Sequence, residues 1–251
     1  MRARARLVVE AVGPRSVIRV LESAAPLTLL PQRETRGAAV VHLVNSAAAP
    51  LGGDHLTLSV EVAPGAALRL VGVAATVVLP GTGRSATHLH LAIGDGAVFE
   101  HLPEPTVVTR HADHHATLTA ELTGTARLRL RETLVLGRKA EAPGHLTTET
   151  HITHDARPIL RQSLTTGDPA TDRSSAGLAG HKVLTTEISL GTPPPPAPVS
   201  GDWWSLVPLG PATAPRGHLA TALGPDAVTA SARLSAALTA ALPAATGRPP
   251  H

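Results

Sequence analysis

Leu51-Gly-Gly-Asp54 opens a stretch that continues through Leu56-Thr57-Leu58-Ser59-Val60-Glu61-Val62 into the turn Ala63-Pro64-Gly65-Ala66. Apolar and polar residues alternate strictly from Leu56 to Val62, the two-residue period of a strand with one buried face and one wet face. A second alternating run begins at Leu68, and the unit then recurs. Gly65-Ala66 leads into Leu68-Arg69-Leu70, Gly96-Ala97 into Val98-Phe99-Glu100-His101-Leu102, and Gly124-Thr125-Ala126 into Arg127-Leu128-Arg129-Leu130. These turn glycines fall 31 and then 28 positions apart. A turn-and-strand repeat of that length predicts an all-β fold, mainly antiparallel, as a solenoid-like stack or a sandwich of serial two-strand units.

The rest of the composition agrees. Among 251 residues the aromatic set is Phe99, Trp203 and Trp204, so the core must be built from Leu, Val, Ile and Ala. Formal charge is +3 and the isoelectric point near 10.4, but the basic residues are scattered. Arg2, Arg4 and Arg6 form the one dense basic run, with no aromatic among them to stack on bases, which argues against nucleic acid as partner. Cysteine is absent, which excludes disulfides and thiolate metal sites and is compatible with a reducing compartment. Glu10, Pro14 and Arg15 cut short the amino-terminal apolar run, and no segment approaches the roughly 20 apolar residues of a membrane helix. The expectation is a cytoplasmic protein without membrane association.

Strands are expected at 5–9, 16–21, 27–31, 38–44, 76–79, 87–91, 107–109, 117–122, 126–136, 146–153, 159–165 and 183–190, besides the central ones. Leu102-Pro103-Glu104-Pro105-Thr106 reads as a rigid corner, each proline fixing its own φ. After Leu190 the run Pro193–Pro196 forms a stiff connector that cannot join a ladder. The period then changes: Leu234, Leu238 and Leu242 lie four apart between Pro225 and Pro243, a helix with an acidic first turn and a proline stop. The expected organisation is one domain over 1–251, with a β body to about 190, a connector at 192–198 and a carboxyl-terminal strand-and-helix segment at 203–243.

Leu51-Gly-Gly-Asp54, Val62-Ala-Pro-Gly-Ala66, Ala74-Ala75-Thr76, Gly96-Ala97, Leu102-Pro-Glu-Pro-Thr106 and Glu132 with Leu134–Arg138 occur in an order and spacing that resembles the urease accessory family UreD, also called UreH. Ala176-Gly-Leu-Ala-Gly-His181 is similar to it as well. The resemblance covers about residues 15–190. It implies a β-helical fold with a small helical element and no catalysis. It further implies docking on the urease apoprotein with UreF and UreG, and delivery of nickel that is held only transiently. The family's lysine and aromatic residue after Ala-Ala-Thr are replaced here by Val77 and Val78.

Asp54 beside two glycines either caps its own turn or lines a polar passage. Glu104, held between prolines, is a candidate partner contact. Glu132 shares a strand face with Leu128 and Leu130, so its carboxylate must be paired, with Arg138 the expected partner, or solvated by a channel. Asp54 and Glu132 together are the expected lining of an internal metal path. His88 and His90 project from one strand face, and His111, His114 and His115 cluster near Asp113, as His151 and His154 do near Asp155; such imidazole and carboxylate groups suit nickel, with solvated strand faces as the plainer account. Trp203-Trp204 either anchors a partner or seats the final helix, the latter preferred. The rival function is a cupin-like, metal-dependent β-barrel enzyme using His88 and His90, although no glutamate follows at the required distance. Neither a Gly-x-Ser-x-Gly element nor a phosphate loop is present.

Overall fold

A computed structural model describes residues 1–210 and 217–240. Its strands are β1 (Arg2–Val12), β2 (Arg15–Glu22), β3 (Leu27–Thr35), β4 (Ala38–Asn45), β5 (His55–Val62), β6 (Ala67–Gly72), β7 (Thr76–Val78), β8 (Ser85–Ile93) and β9 (Val98–Leu102). There follow β10 (Thr106–Val108), β11 (Asp113–Leu122), β12 (Arg127–Leu136), β13 (His145–His154), β14 (Arg157–Thr166), the short helix α1 (Pro169–Arg173), β15 (Val183–Leu190), β16 (Val199–Gly201), β17 (Trp204–Leu209), β18 (Gly217–Gly224) and the helix α2 (Ala227–Ala240).

The repeat seen in the sequence is one turn of a coil. The chain passes from β5 in one sheet to β6 in the other, returns as β8, and repeats through β9, β11, β12 and β13. Like strands therefore stack in parallel and in register: His55 lies opposite Ala86, Ala86 opposite His115, and His115 opposite Thr147. The first sheet runs β14-β13-β11-β8-β5-β1-β2 and the second β16-β17-β18-β15-β12-β9-β6-β4-β3, with β7 and β10 paired alongside β12. Mainly antiparallel pairing, the expectation from sequence, applies to the ends alone. The middle is parallel because each coil travels the same way round, while β2, β3 and β14 pair as hairpins with their chain neighbours and β15–β18 add antiparallel strands beyond β12.

Turns stack on turns. A Cβ on Gly52 would lie 2.6 Å from the backbone of Gly81, and one on Gly94 would lie 2.7 Å from Pro64. Asp95 ties adjacent coils together by accepting from Thr125 N at 2.7 Å, and Asp155 accepts from Gly124 N at 2.9 Å. Between the sheets the apolar side chains form two clusters. Leu68, Leu70, Phe99, Leu122, Leu128 and Leu130 belong to the larger; Val78, Val108, Leu134, Leu136, Leu146 and Leu184 belong to the smaller.

Beyond Val183–Leu190, the strand-and-helix segment expected at 203–243 is built from β17, β18 and α2, with β16 ahead of it. Proline at 208 and small residues through 217–224 masked the period of β17 and β18, which extend the second sheet and carry α2 on its outer face. Asp226 caps that helix, accepting from Thr229 N at 2.7 Å. Leu234 and Ala237 bury against Leu206 and Ala220. The expected stop at Leu242-Pro243 lies outside the described residues. Trp204 packs in this cluster and seats the helix, as preferred from sequence, whereas Trp203 turns out, 43% exposed, with its ring edge-on to His181 at 4.5 Å.

The turn stack is testable. Gly52→Ala forces one turn off the next and should cost about 1–3 kcal/mol. Gly83→Ala meets nothing within 4 Å and strains only a φ of +83°, costing about 1 kcal/mol. Urea denaturation midpoints measure both, and equal losses would show that the close stacking is not what these glycines serve.

Candidate functional site

The two apolar clusters are separated by a polar layer. On β12 the inward column reads Leu128, Leu130, Glu132, Leu134, Leu136, so the carboxylate interrupts a column that belongs to one cluster above it and the other below. β15 repeats the pattern, with Thr186 between Leu184 and Ile188, and Thr186 pairs with Glu132 in register. β13 places Thr148 and Thr150 between Leu146 and Ile152, and β14 places Gln162, opposite Thr150, between Leu160 and Leu164. A cavity of about 250 Å³ occupies this level, lined by Glu132, His101, Glu104, Thr148, Gln162 and Thr186 among others.

Glu132 also faces a break in the second sheet. β9 leaves β12 after His101 opposite Leu130, and β10 rejoins it at Thr106 opposite Leu134. The intervening Pro103-Glu104-Pro105 is the rigid corner read from sequence, packed so closely on Gly72 that a Cβ there would meet Glu104 N at 2.7 Å. Glu104 is exposed at this corner and lines the cavity too, which puts it at a mouth.

No ion pair or hydrogen bond reaches the Glu132 carboxylate among the described residues. Burial pushes its pKa up to about 7. The residue as a whole is only half-buried, because its oxygens face the cavity although the surrounding protein encloses them. Arg138 does not pair with it, contrary to expectation. That guanidinium lies on the loop beyond β12, 3.9 Å from Glu141, whose carboxylate also accepts from the Arg138 amide at 2.9 Å.

His101 was not singled out in the sequence, yet it shares the inward face of β9 with Phe99. Its Nδ1 lies 3.2 Å from the Leu70 carbonyl, which fixes that nitrogen as the donor and leaves Nε2 with its lone pair. Burial pushes the imidazole down to about 4, with the carbonyl acting the other way. A neutral ring with one open nitrogen is suited to a metal ion. The signal available was an imidazole in the period-two column of an otherwise apolar strand. His114 lines the same cavity but is spent on structure, its Nδ1 2.8 Å from Ser85 Oγ and its Nε2 3.1 Å from Thr87 Oγ1. Burial, then His115, pushes it down to about 4.

Asp54 takes the turn role rather than the passage role. Its Oδ2 accepts from Leu51 N at 2.8 Å and its Oδ1 from the Met1 ammonium at 2.7 Å, and it does not line the cavity. Burial would raise its pKa, but these donors outweigh burial and hold it below the usual carboxylate range.

The remaining histidines do not converge. His88 and His90 stack at 6.3 Å on the outer face of the first sheet. His115 shares that face, His111 sits in a turn with φ of +64°, and His114 points inward. His151 also faces outward on β13, while His154 turns inward and places Nε2 2.7 Å from the Gly124 carbonyl. Among the described residues no three His, Asp or Glu groups are placed to hold a metal ion. The cupin-like reading fails on the same geometry, because the sheets stay open and His88 and His90 face away from the interior. No helix among the described residues is long and apolar enough to cross a membrane.

The model of the UreD urease accessory protein family matches residues 1–251. The Urease accessory protein UreD 1 of Saccharopolyspora erythraea is 48% identical over 245 residues, covering 95% of this chain and 94% of its own length. The Urease accessory protein UreD of Streptomyces coelicolor is 36% identical over 248 residues, covering 95% and 96%. UreD 3 of Streptomyces griseus is 39% identical over 240 residues, covering 90% and 91%.

Two stability measurements separate the roles of Glu132 and Asp54. The neutral form of Glu132 is favoured on folding, so its penalty is absent below the unfolded pKa of about 4.3 and grows until pH passes about 7. Glu132→Gln should therefore stabilise the protein by up to about 3.5 kcal/mol at pH 8 and leave it unchanged at pH 4; a difference in melting temperature that does not vary with pH would contradict a buried, unpaired carboxyl. Asp54 behaves oppositely, since its stabilisation is present above about pH 4 and fades as pH falls below it. Asp54→Asn should cost about 1–3 kcal/mol at pH 7, narrowing towards pH 3, by urea titration.

Proposed function

The chain belongs to the UreD urease accessory protein family, and on that premise we propose that it is a cytoplasmic scaffold for nickel insertion into urease. In this reading it docks on the urease apoprotein together with UreF and UreG, and nickel crosses the polar layer between its sheets. The observation that carries the reading is the unpaired Glu132 carboxylate set into an apolar column and facing a cavity of about 250 Å³. Leaving such a group unpaired works against stability, so its retention points to a use.

The chemistry suits a cargo that must leave again. Carboxylate oxygen and neutral imidazole are both ligands for divalent nickel. Near pH 7 Glu132 is divided between its protonated and ionised forms, so an arriving cation displaces a proton and a departing one lets the proton return. His101 offers one open nitrogen on the neighbouring strand, and Glu104 offers an exposed carboxylate at the corner. A transient ladder of single ligands binds less tightly than a closed cage, as transport requires.

Co-expression with urease, UreF and UreG tests this. Replacing Glu132 and His101 together by alanine should lower the nickel content of purified urease several-fold while the complex still assembles on size exclusion. Full nickel loading by that double variant would remove the passage reading; urease activated equally well without this chain would remove the accessory reading for it.

A further inference from the structure

The outer face of the first sheet is uncovered, whereas α2 covers part of the outer face of the second. In-register stacking arranges it in rows. Arg2, His55, Ala86 and His115 form one, Arg4, Thr57, His88 and Thr117 the next, and Arg6, Ser59, His90 and Thr119 the third. β13 and β14 extend them with Glu149, His151 and Arg161. From β5 to β13 this face presents no large apolar side chain.

Its charges are unevenly satisfied. Arg6 lies 3.7 Å from Glu61 and His115 Nε2 lies 3.6 Å from Glu149. Arg2 and Arg4 are exposed and make no ion pair or hydrogen bond among the described residues. Beside them His88 stands among His55, His90 and His115, and its pKa is lowered by its own burial and then by those three rings. Folding gains nothing from two unpaired arginines on one plane. An acidic surface laid across them would neutralise both.

We propose that this face is where the chain docks on the urease apoprotein, through an acidic protein surface that pairs with Arg2 and Arg4 and with the imidazoles centred on His88. The proposal rests on the accessory reading above and adds the surface to it. A protein fits better than a polyanion because Glu61, Glu121 and Glu149 are interleaved with the cations and would repel a uniform row of phosphates. Strands about 4.8 Å apart make a flat area of roughly 500 Å² before side-chain relief is counted. That is a large share of the roughly 800 Å² one partner contributes to a standard interface. The groups facing His88 are Arg4 on β1, His55 on β5, His90 on its own strand, His115 on β11 and Glu149 on β13. Protonating His88 adds positive charge to the face, and because its pKa is lowered the association tightens most at the acid end of the range.

The test measures binding of purified urease apoprotein to the full chain by biolayer interferometry, at pH 6 and pH 8, with UreF and UreG present in one arm. Arg2→Glu combined with Arg4→Glu should weaken binding at least tenfold. The paired Lys substitutions should retain it, and Arg127→Glu, exposed on the opposite sheet, should leave it unchanged. His88→Ser should reduce the gain in affinity between pH 8 and pH 6. Unchanged thermal melts establish that the variants fold. Binding by the double Glu variant within twofold of the parent protein overturns the docking face while leaving the accessory reading standing. A parent protein that binds no apoprotein with or without UreF and UreG overturns both, and equal capture by phosphate-rich vesicles or duplex DNA that competes with the apoprotein overturns the assignment to an acidic protein.

Discussion

Everything in this molecule follows from parallel strands that stack in register, one coil upon the next. Such stacking places residues of equal level side by side, so what a single strand does at one position becomes a property of a whole layer. Leucine at one level makes an apolar slab, while threonine, glutamine and glutamate at another make a polar layer that crosses the interior. The turn glycines permit it, because Gly52 and Gly81 approach each other more closely than any side chain would allow.

The polar layer works against stability. Within a closed interior Glu132 would be driven to its neutral form or paired, and it has no partner to pair with. Instead the strand beside it breaks at Pro103-Glu104-Pro105, and the space left over is a cavity rather than packed leucine. The carboxyl is thereby held near the midpoint of its titration at neutral pH. Neither neighbouring histidine is charged there, since burial keeps both His101 and His114 neutral.

The two outer faces treat charge differently. Across the second sheet, Arg69, Glu100, Arg129, Glu187 and Arg131 alternate in sign from strand to strand, with contacts of 2.9, 3.9, 2.9 and 2.6 Å. Glu187 is almost wholly enclosed by its two arginines, and hydrogen bonding to it raises the Arg129 pKa. Those charges serve the sheet itself. The first sheet lacks that closure around Arg2 and Arg4.

The sequence by itself determined the class of fold and the level of the repeat, because alternation and turn glycines are local properties that a coil of about thirty residues prints directly into the chain. It also placed Glu132 on an apolar face and Glu104 in a rigid corner, and ordered motifs disclosed the family. It did not reveal that Asp54 is spent on a turn and the Met1 amino group, that Arg138 turns to Glu141, or that Trp203 and Trp204 part company. Those depend on which atoms meet across sequence separations that no local period encodes. The role of His101 is hidden for the same reason, as an isolated imidazole gains meaning only when stacking sets it opposite Leu130, on the cavity that Glu132 also lines. Strand direction, the bounds and pairing of the last three strands and the shared polar layer were decided by tertiary structure, because parallel register between coils is fixed by packing between the sheets and not by any one strand.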